Sequence, residues 1–148
     1  MITMKTTRHF LSAALFMLLS LPAVQAQTLT ARDVFRQMPD SILPYLTENN
    51  RLDMLDFMDF HMPARVQNLF DGHSELLALD DDSLTIQMSS VQRLTLRLLT
   101  SATEIDGSRQ LICLERHIGN SADNIHVICT FYSVLWRKLD KKAAGLVK

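Results

Sequence analysis

Apolar residues recur along this chain in two rhythms. Over residues 30 to about 70 they fall at helical spacings interrupted by prolines; over residues 74 to about 132 they alternate with polar residues, as half-buried strands do. Thr30 followed by Asp33 resembles a capping box and predicts a short helix over residues 31–37. Pro39 stops it, because the residue before a proline is pushed out of the helical region. Pro44 adds a second break, so residues 38–46 read as a turn plus a single helical turn. Thr47 is then an N-cap with Glu48 in the first turn, opening a helix over residues 48–60 that Pro63 closes. At about 3.6 residues per turn, Asp53, Asp56 and Asp59 share one side of it and Met54, Leu55, Phe57 and Met58 the other. Leu52 and Phe60 fall among the aspartates, either as apolar margins of a helix packed on a sheet or as contacts for a partner. Residues 64–70 suggest one more short helix, ended by Asp71-Gly72.

The second half reads as strands over residues 74–79, 84–88, 91–99, 110–118 and 124–132. The first connection is Asp80-Asp81-Asp82, a turn by composition, and residues 100–108 read as a polar loop containing Gly107. Short connections make neighbouring strands antiparallel. The expected class is α+β: N-terminal helices followed by an antiparallel meander of about five strands. Trp136 is placed as a lid on one end of the core, and residues 138–148 as a frayed tail.

The N-terminus has a different character. Lys5, Arg8 and His9 precede an apolar run over residues 10–21, Pro22 breaks it, and Val24-Gln25-Ala26 puts small residues where a signal peptidase reads them. The run is shorter than the roughly 20 residues of a membrane span. Residues 1–26 are therefore expected to be a signal peptide, with an uncleaved anchor as the alternative, and residues 27–137 a single domain. An exported periplasmic or outer-envelope protein follows, with no transmembrane anchor after cleavage. The chain has 148 residues, with 15 Lys and Arg against 16 Asp and Glu. Losing Lys5 and Arg8 leaves 13 basic against 16 acidic residues. That balance gives no reason to expect nucleic acid as a partner.

Chemistry-bearing motifs are few. Four glycines cannot build a phosphate cradle, and no nucleophile elbow or zinc-binding helix motif is present; no cofactor is implied. A pairing of the last two strands centred on residue 121 sets Cys113 directly against Cys129. A disulfide there is compatible with export, the alternative being two buried thiols. The same register puts His117 and His126 on opposite faces, which disfavours a shared metal site, and pairs His117 with Glu115 on one face. Asp80-Asp81-Asp82-Ser83 is read as an acidic turn in preference to a calcium loop. No catalytic or metal-ligating residue is assigned.

One segment is more distinctive than any of these. Residues 38–57, MPDSILPYLTENNRLDMLDF, resemble the signature of a family of small secreted proteins of unknown function from anaerobic gut-type Gram-negative bacteria. Ser74-Glu75-Leu76, Leu111-Ile112-Cys113, and Phe131-Tyr132 followed by Trp136 fit the same pattern more loosely. The resemblance implies an exported envelope protein with helices leading into a sheet, and brings no catalytic residues. The chain departs from the pattern in ending soon after Trp136, where relatives continue, which puts the completeness of the fold in question. The functional expectation is a non-catalytic binding or interaction module whose partner is an envelope protein or a surface glycan, with Arg51, Leu52, Asp53, Asp56 and Phe60 as the contact residues. The alternatives are a small periplasmic hydrolase using the Asp53, Asp56 and Asp59 helix face, and a structural accessory of the outer envelope.

Overall fold

A computed structural model of the chain describes residues 28–119, 124–141 and 144. Residues 1–26, read as a signal peptide, lie outside the described residues. Two helices come first, α1 (Ala31–Arg36) and α2 (Glu48–Asp59). Seven strands follow: β1 (Ala64–Gln67), β2 (His73–Leu79), β3 (Ser83–Ser89), β4 (Gln92–Ile105), β5 (Ser108–Ile118), β6 (His126–Ser133) and β7 (Lys138–Leu139). Each strand pairs antiparallel with the next, so their order in the sheet is their order in the chain.

The α+β class holds, but the meander has seven strands where about five were expected. Residues 64–70 are not helical. Ala64 and Val66 point into the core and Arg65 and Gln67 to solvent, a period of two that makes β1. At the other end Lys138–Leu139, placed in the frayed tail, pairs with Phe131 and Tyr132 as β7. The polar loop over residues 100–108 is also replaced by strand. β4 runs to Ile105 and β5 starts at Ser108, joined by Asp106 and Gly107 at φ 54° and 76°. Two successive left-handed residues are what a tight two-residue hairpin needs, and Asp-Gly supplies them.

The helix ends follow local chemistry. Thr30 and Asp33 form the expected capping box, and its hydrogen bonds, the Thr30 hydroxyl first, hold the Asp33 carboxyl below its ordinary range. Thr47 caps α2 with Asn50 as the reciprocal partner. At the other end of α2, Met62 N–H bonds to Phe57 C=O and His61 N–H to Met58 C=O, with His61 at φ 55°. That is a Schellman stop built on a histidine in place of the usual glycine.

Both helices lie on one face of the sheet. Val34, Phe35, Met38, Leu46, Met54 and Leu55 from the helical half meet Leu76, Leu84, Ile86, Met88, Leu94, Leu96, Ile112 and Leu114 from the strands. Trp136 closes one end as expected: its indole N–H donates to Val34 C=O at 3.1 Å and its ring lies 5.5 Å from that of Tyr132. The turn between β1 and β2 hangs on one buried side chain. Asn68 Oδ1 accepts from the N–H groups of Phe70 and Gly72, and Nδ2 donates to Ser74 Oγ and Met88 C=O. All four hydrogen-bonding valences of the amide are used, which explains how a polar side chain is tolerated there.

Candidate functional site: the open face of the sheet

Strand alternation sends every second residue away from the helices. The register turns those residues into rows that cross the sheet. One row runs Arg65, Glu75, Gln87, Arg93, His117, Val127 from β1 to β6. The next runs Thr85, Thr95, Glu115, Cys129. A third includes Ser83, Arg97, Cys113 and Phe131. At about 4.8 Å between strands, Arg65 and Arg93 stand roughly 14 Å apart.

The centre of this face is a shallow concavity of about 930 Å³, lined among others by Arg65, Glu75, Thr85, Arg93, Thr95 and Arg97. It is continuous with a smaller hollow of about 290 Å³ through His73, Ser89 and Ser90. Tyr45 and Phe70 line the smaller one, with ring centroids 4.8 Å apart and Phe70 63% exposed. The polar groups are arranged but not consumed. Arg93 Nε donates to Gln87 Oε1 at 3.1 Å, and Arg97 Nη1 donates to Glu115 Oε1 at 3.4 Å. His117 sits 3.6 Å from Glu115, the pairing expected from the sequence. Arg65 side-chain nitrogens have no hydrogen-bond or ion-pair partner among the described residues. Towards the β4–β5 turn the same face becomes apolar: Leu111 and Cys113 are buried outside the main core.

The residues singled out in the sequence lie elsewhere, and the structure separates them. Arg51 is buried inside the helical half, its Nη1 donating to Asp40 Oδ1 at 2.6 Å and to Leu46 C=O at 3.3 Å. It anchors the distinctive segment rather than facing a ligand. Leu52 is half-buried; Asp53 and Asp56 are exposed on α2; Asp59 is gripped by both terminal nitrogens of Arg32 at 2.6 and 3.0 Å. Phe60, at 73% exposure, stands alongside the C-terminal end of that helix. None of the aspartates lines either concavity. The sequence did contain a signal for the open face, since Arg93, Thr95 and Arg97 alternate with Leu94, Leu96 and Leu98. Alternation says which residues share a face; only the packed fold says which face stays open.

The two cysteines require a correction. The β5–β6 pairing centres on residue 122, so Phe131 lies opposite Cys113 and Glu115 opposite Cys129. The cysteines are diagonal neighbours on one face, and both are free. Diagonal Cα atoms are typically about 7–8 Å apart, yet the Cys129 thiol still reaches that of Cys113. Ile118 pairs with His126 where Asn124 was expected, two residues further along, and every pair shifts with it by two. Burial, with the Glu115 carboxylate second, pushes the Cys113 thiol up to about 11, whereas Cys129 is exposed. Iodoacetamide at pH 8 is therefore expected to add one carbamidomethyl group, at Cys129, with Cys113 reacting about tenfold or more slowly. Equal rates by peptide mass mapping would contradict this.

His117 pairs with Val127 and His126 with Ile118, so the two histidines keep opposite faces. Among the described residues no group of three or more His, Cys, Asp or Glu is placed to share a metal ion. Asp80, Asp81 and Asp82 form the β2–β3 turn; the carbonyls of Asp81 and Asp82 accept from Ala31 N–H and Leu98 N–H, both at 2.7 Å. No helix among the described residues is long and apolar enough to cross a membrane.

The fold and the site define a helix-backed antiparallel meander with one sheet face open, polar and concave. The chain belongs to the family described as "Protein of unknown function (DUF3256)", which it matches over residues 23–145. It is similar in structure to a domain of an uncharacterised protein from Porphyromonas gingivalis W83, with a TM-score of 0.59 and 23% sequence identity over 75% of this chain. The match spans 54% of that protein's chain, and at this identity the likeness speaks to fold alone. No curated protein matches the chain.

Proposed function

We propose that this protein is an exported envelope binding module that holds an extended polar ligand against the open face of its sheet. The observation that carries the reading is the concavity itself. Small-molecule sites are typically enclosed, whereas this one is open and lined across five strands by arginine, threonine, glutamine, serine, histidine and Glu75, together with Val91 and Ile125. Such a surface suits a ligand longer than one metabolite. The helical half supports the face from behind and adds Tyr45 to the wall of the smaller concavity.

Export is supported by the three-part pattern of residues 1–26. Expression in a Gram-negative host should therefore yield a periplasmic species whose intact mass corresponds to a start at Gln27. A full-length mass in the membrane fraction would identify an uncleaved anchor instead.

The face is tested by blocking it. Thr95 sits at its centre, half-buried between Thr85 and Glu115. Thr95→Trp is expected to abolish retention of envelope material on the immobilised protein, and Asp56→Trp on the exposed side of α2 to leave it unchanged. Loss with Asp56→Trp alone would move the site to the helix.

A further inference from the structure

We infer that the ligand of the open face is an acidic polysaccharide, one whose carboxylates are spaced along neutral sugar rings. This rests on the sheet-face reading above and adds the chemistry of the ligand. Three observations point the same way. Arg65, Arg93 and Arg97 bring guanidinium forks to one concave surface, and a fork matches a carboxylate through two parallel hydrogen bonds. Arg65 has no side-chain partner to give up, Arg93 is oriented by a neutral amide, and Arg97 is held only by a long, exposed contact.

The second observation is what lies between the arginines. Glu75 and Gln87 separate Arg65 from Arg93 in one row, and Thr85 and Thr95 stand in the next. Carboxylates at Glu75 and Glu115 repel a ligand carrying an anion every few ångströms. They accept hydrogen bonds from sugar hydroxyls. A spacing of roughly 14 Å between Arg65 and Arg93 therefore selects for charges set apart by uncharged, hydroxyl-bearing units.

Third, the face runs through His73, Ser89 and Ser90 to the tilted Tyr45–Phe70 pair. An exposed ring at the end of a polar groove offers an apolar plane beside hydrogen-bonding tips, which the C–H face of a sugar ring can cover. An acidic peptide would need none of this, and peptides recognised by sheets add to the edge rather than lie across the face.

The test is calorimetric titration of the mature protein with a hyaluronan octasaccharide, and with an unsulfated chondroitin octasaccharide as a second uronate chain, both carrying a carboxylate on every second sugar only. Maltohexaose serves as the neutral control and hexaglutamate as the charge-only control. The expected result is binding of at least one uronate, weakened about tenfold or more by Arg65→Gln/Arg93→Gln and about fivefold by raising salt from 50 to 500 mM, as screened charge pairs require. Phe70→Ala should weaken the same binding while leaving its salt dependence intact. Unchanged thermal midpoints of the variants show that the fold is kept. Equal binding of maltohexaose, equal binding of hexaglutamate, or no binding of either uronate overturns the inference. If it is overturned while Thr95→Trp still abolishes envelope retention, the sheet-face reading stands with a different ligand. If Thr95→Trp has no effect, the sheet-face reading falls with it.

Discussion

Replacing Trp136 with alanine lowers the stability of the domain by about 4 kcal/mol, within the range for truncating a large buried aromatic. The residue is 9% exposed and joins the last part of the chain to the first. Its indole N–H reaches Val34 C=O in α1, and its ring leans on Tyr132 in β6. The alanine variant removes the ring, leaves a cavity over the core and strips the Val34 carbonyl of its indole donor. Trp136→Phe separates these effects: it keeps a ring, loses the N–H, and should cost roughly 1–2 kcal/mol. Urea denaturation of the mature protein measures both. A loss below about 1 kcal/mol for the alanine variant would mean that Trp136 rests on the core without being part of it.

The second large effect concerns Arg51. Asp40→Ala is expected to destabilise by about 1–2 kcal/mol: Asp40 is itself 62% exposed, but its loss leaves a guanidinium that is 3% exposed with one carbonyl as its remaining partner. Its Nε already has no hydrogen-bond partner. Arg51→Met removes the charge and keeps much of the stem volume, so it should cost clearly less than Asp40→Ala; hydrophobic replacement of a buried ion is often nearly neutral. The opposite order would show that the arginine stem, rather than its charge, is what the segment needs. Neither variant should alter ligand retention beyond its effect on folding, since Arg51 faces the interior.

Much of the distinctive segment over residues 38–57 serves the fold. Asp40 pairs with Arg51, Leu43 and Leu46 fill the core, Thr47 and Asn50 start α2, and Met54 and Leu55 bury its inner side. Each of these residue types is explained by folding. Arg51, offered as a contact residue, instead pairs with an acid eleven residues back, across a proline turn.

Other parts of the fold were legible to different degrees. Both helix starts could be read from Thr30–Asp33 and Thr47, because capping is local chemistry. The central strands could be read from alternation. β1 could not: four residues carry too little pattern to separate a period of two from a helical turn, and only the neighbouring β2 decides it. The hairpin at Asp106-Gly107 was readable from the dipeptide, but the polar character of residues 100–104 outweighed it. Asn68 carried no signal, since its four partners come from three different segments. The aspartate stripe on α2 was correctly placed on one side of the helix. None of its aspartates lines either concavity, and the larger one forms where the sheet turns away from the helices.

The central claim is that ligand meets the open sheet face. The direct measurement is photo-crosslinking in intact cells with a benzoylphenylalanine placed at Thr95 in one strain and at Asp56 in another. The account predicts adducts from position 95, suppressed when Arg65 and Arg93 are changed to glutamine, and none from position 56. Adducts from position 56 alone would contradict it and return the site to the aspartate side of α2.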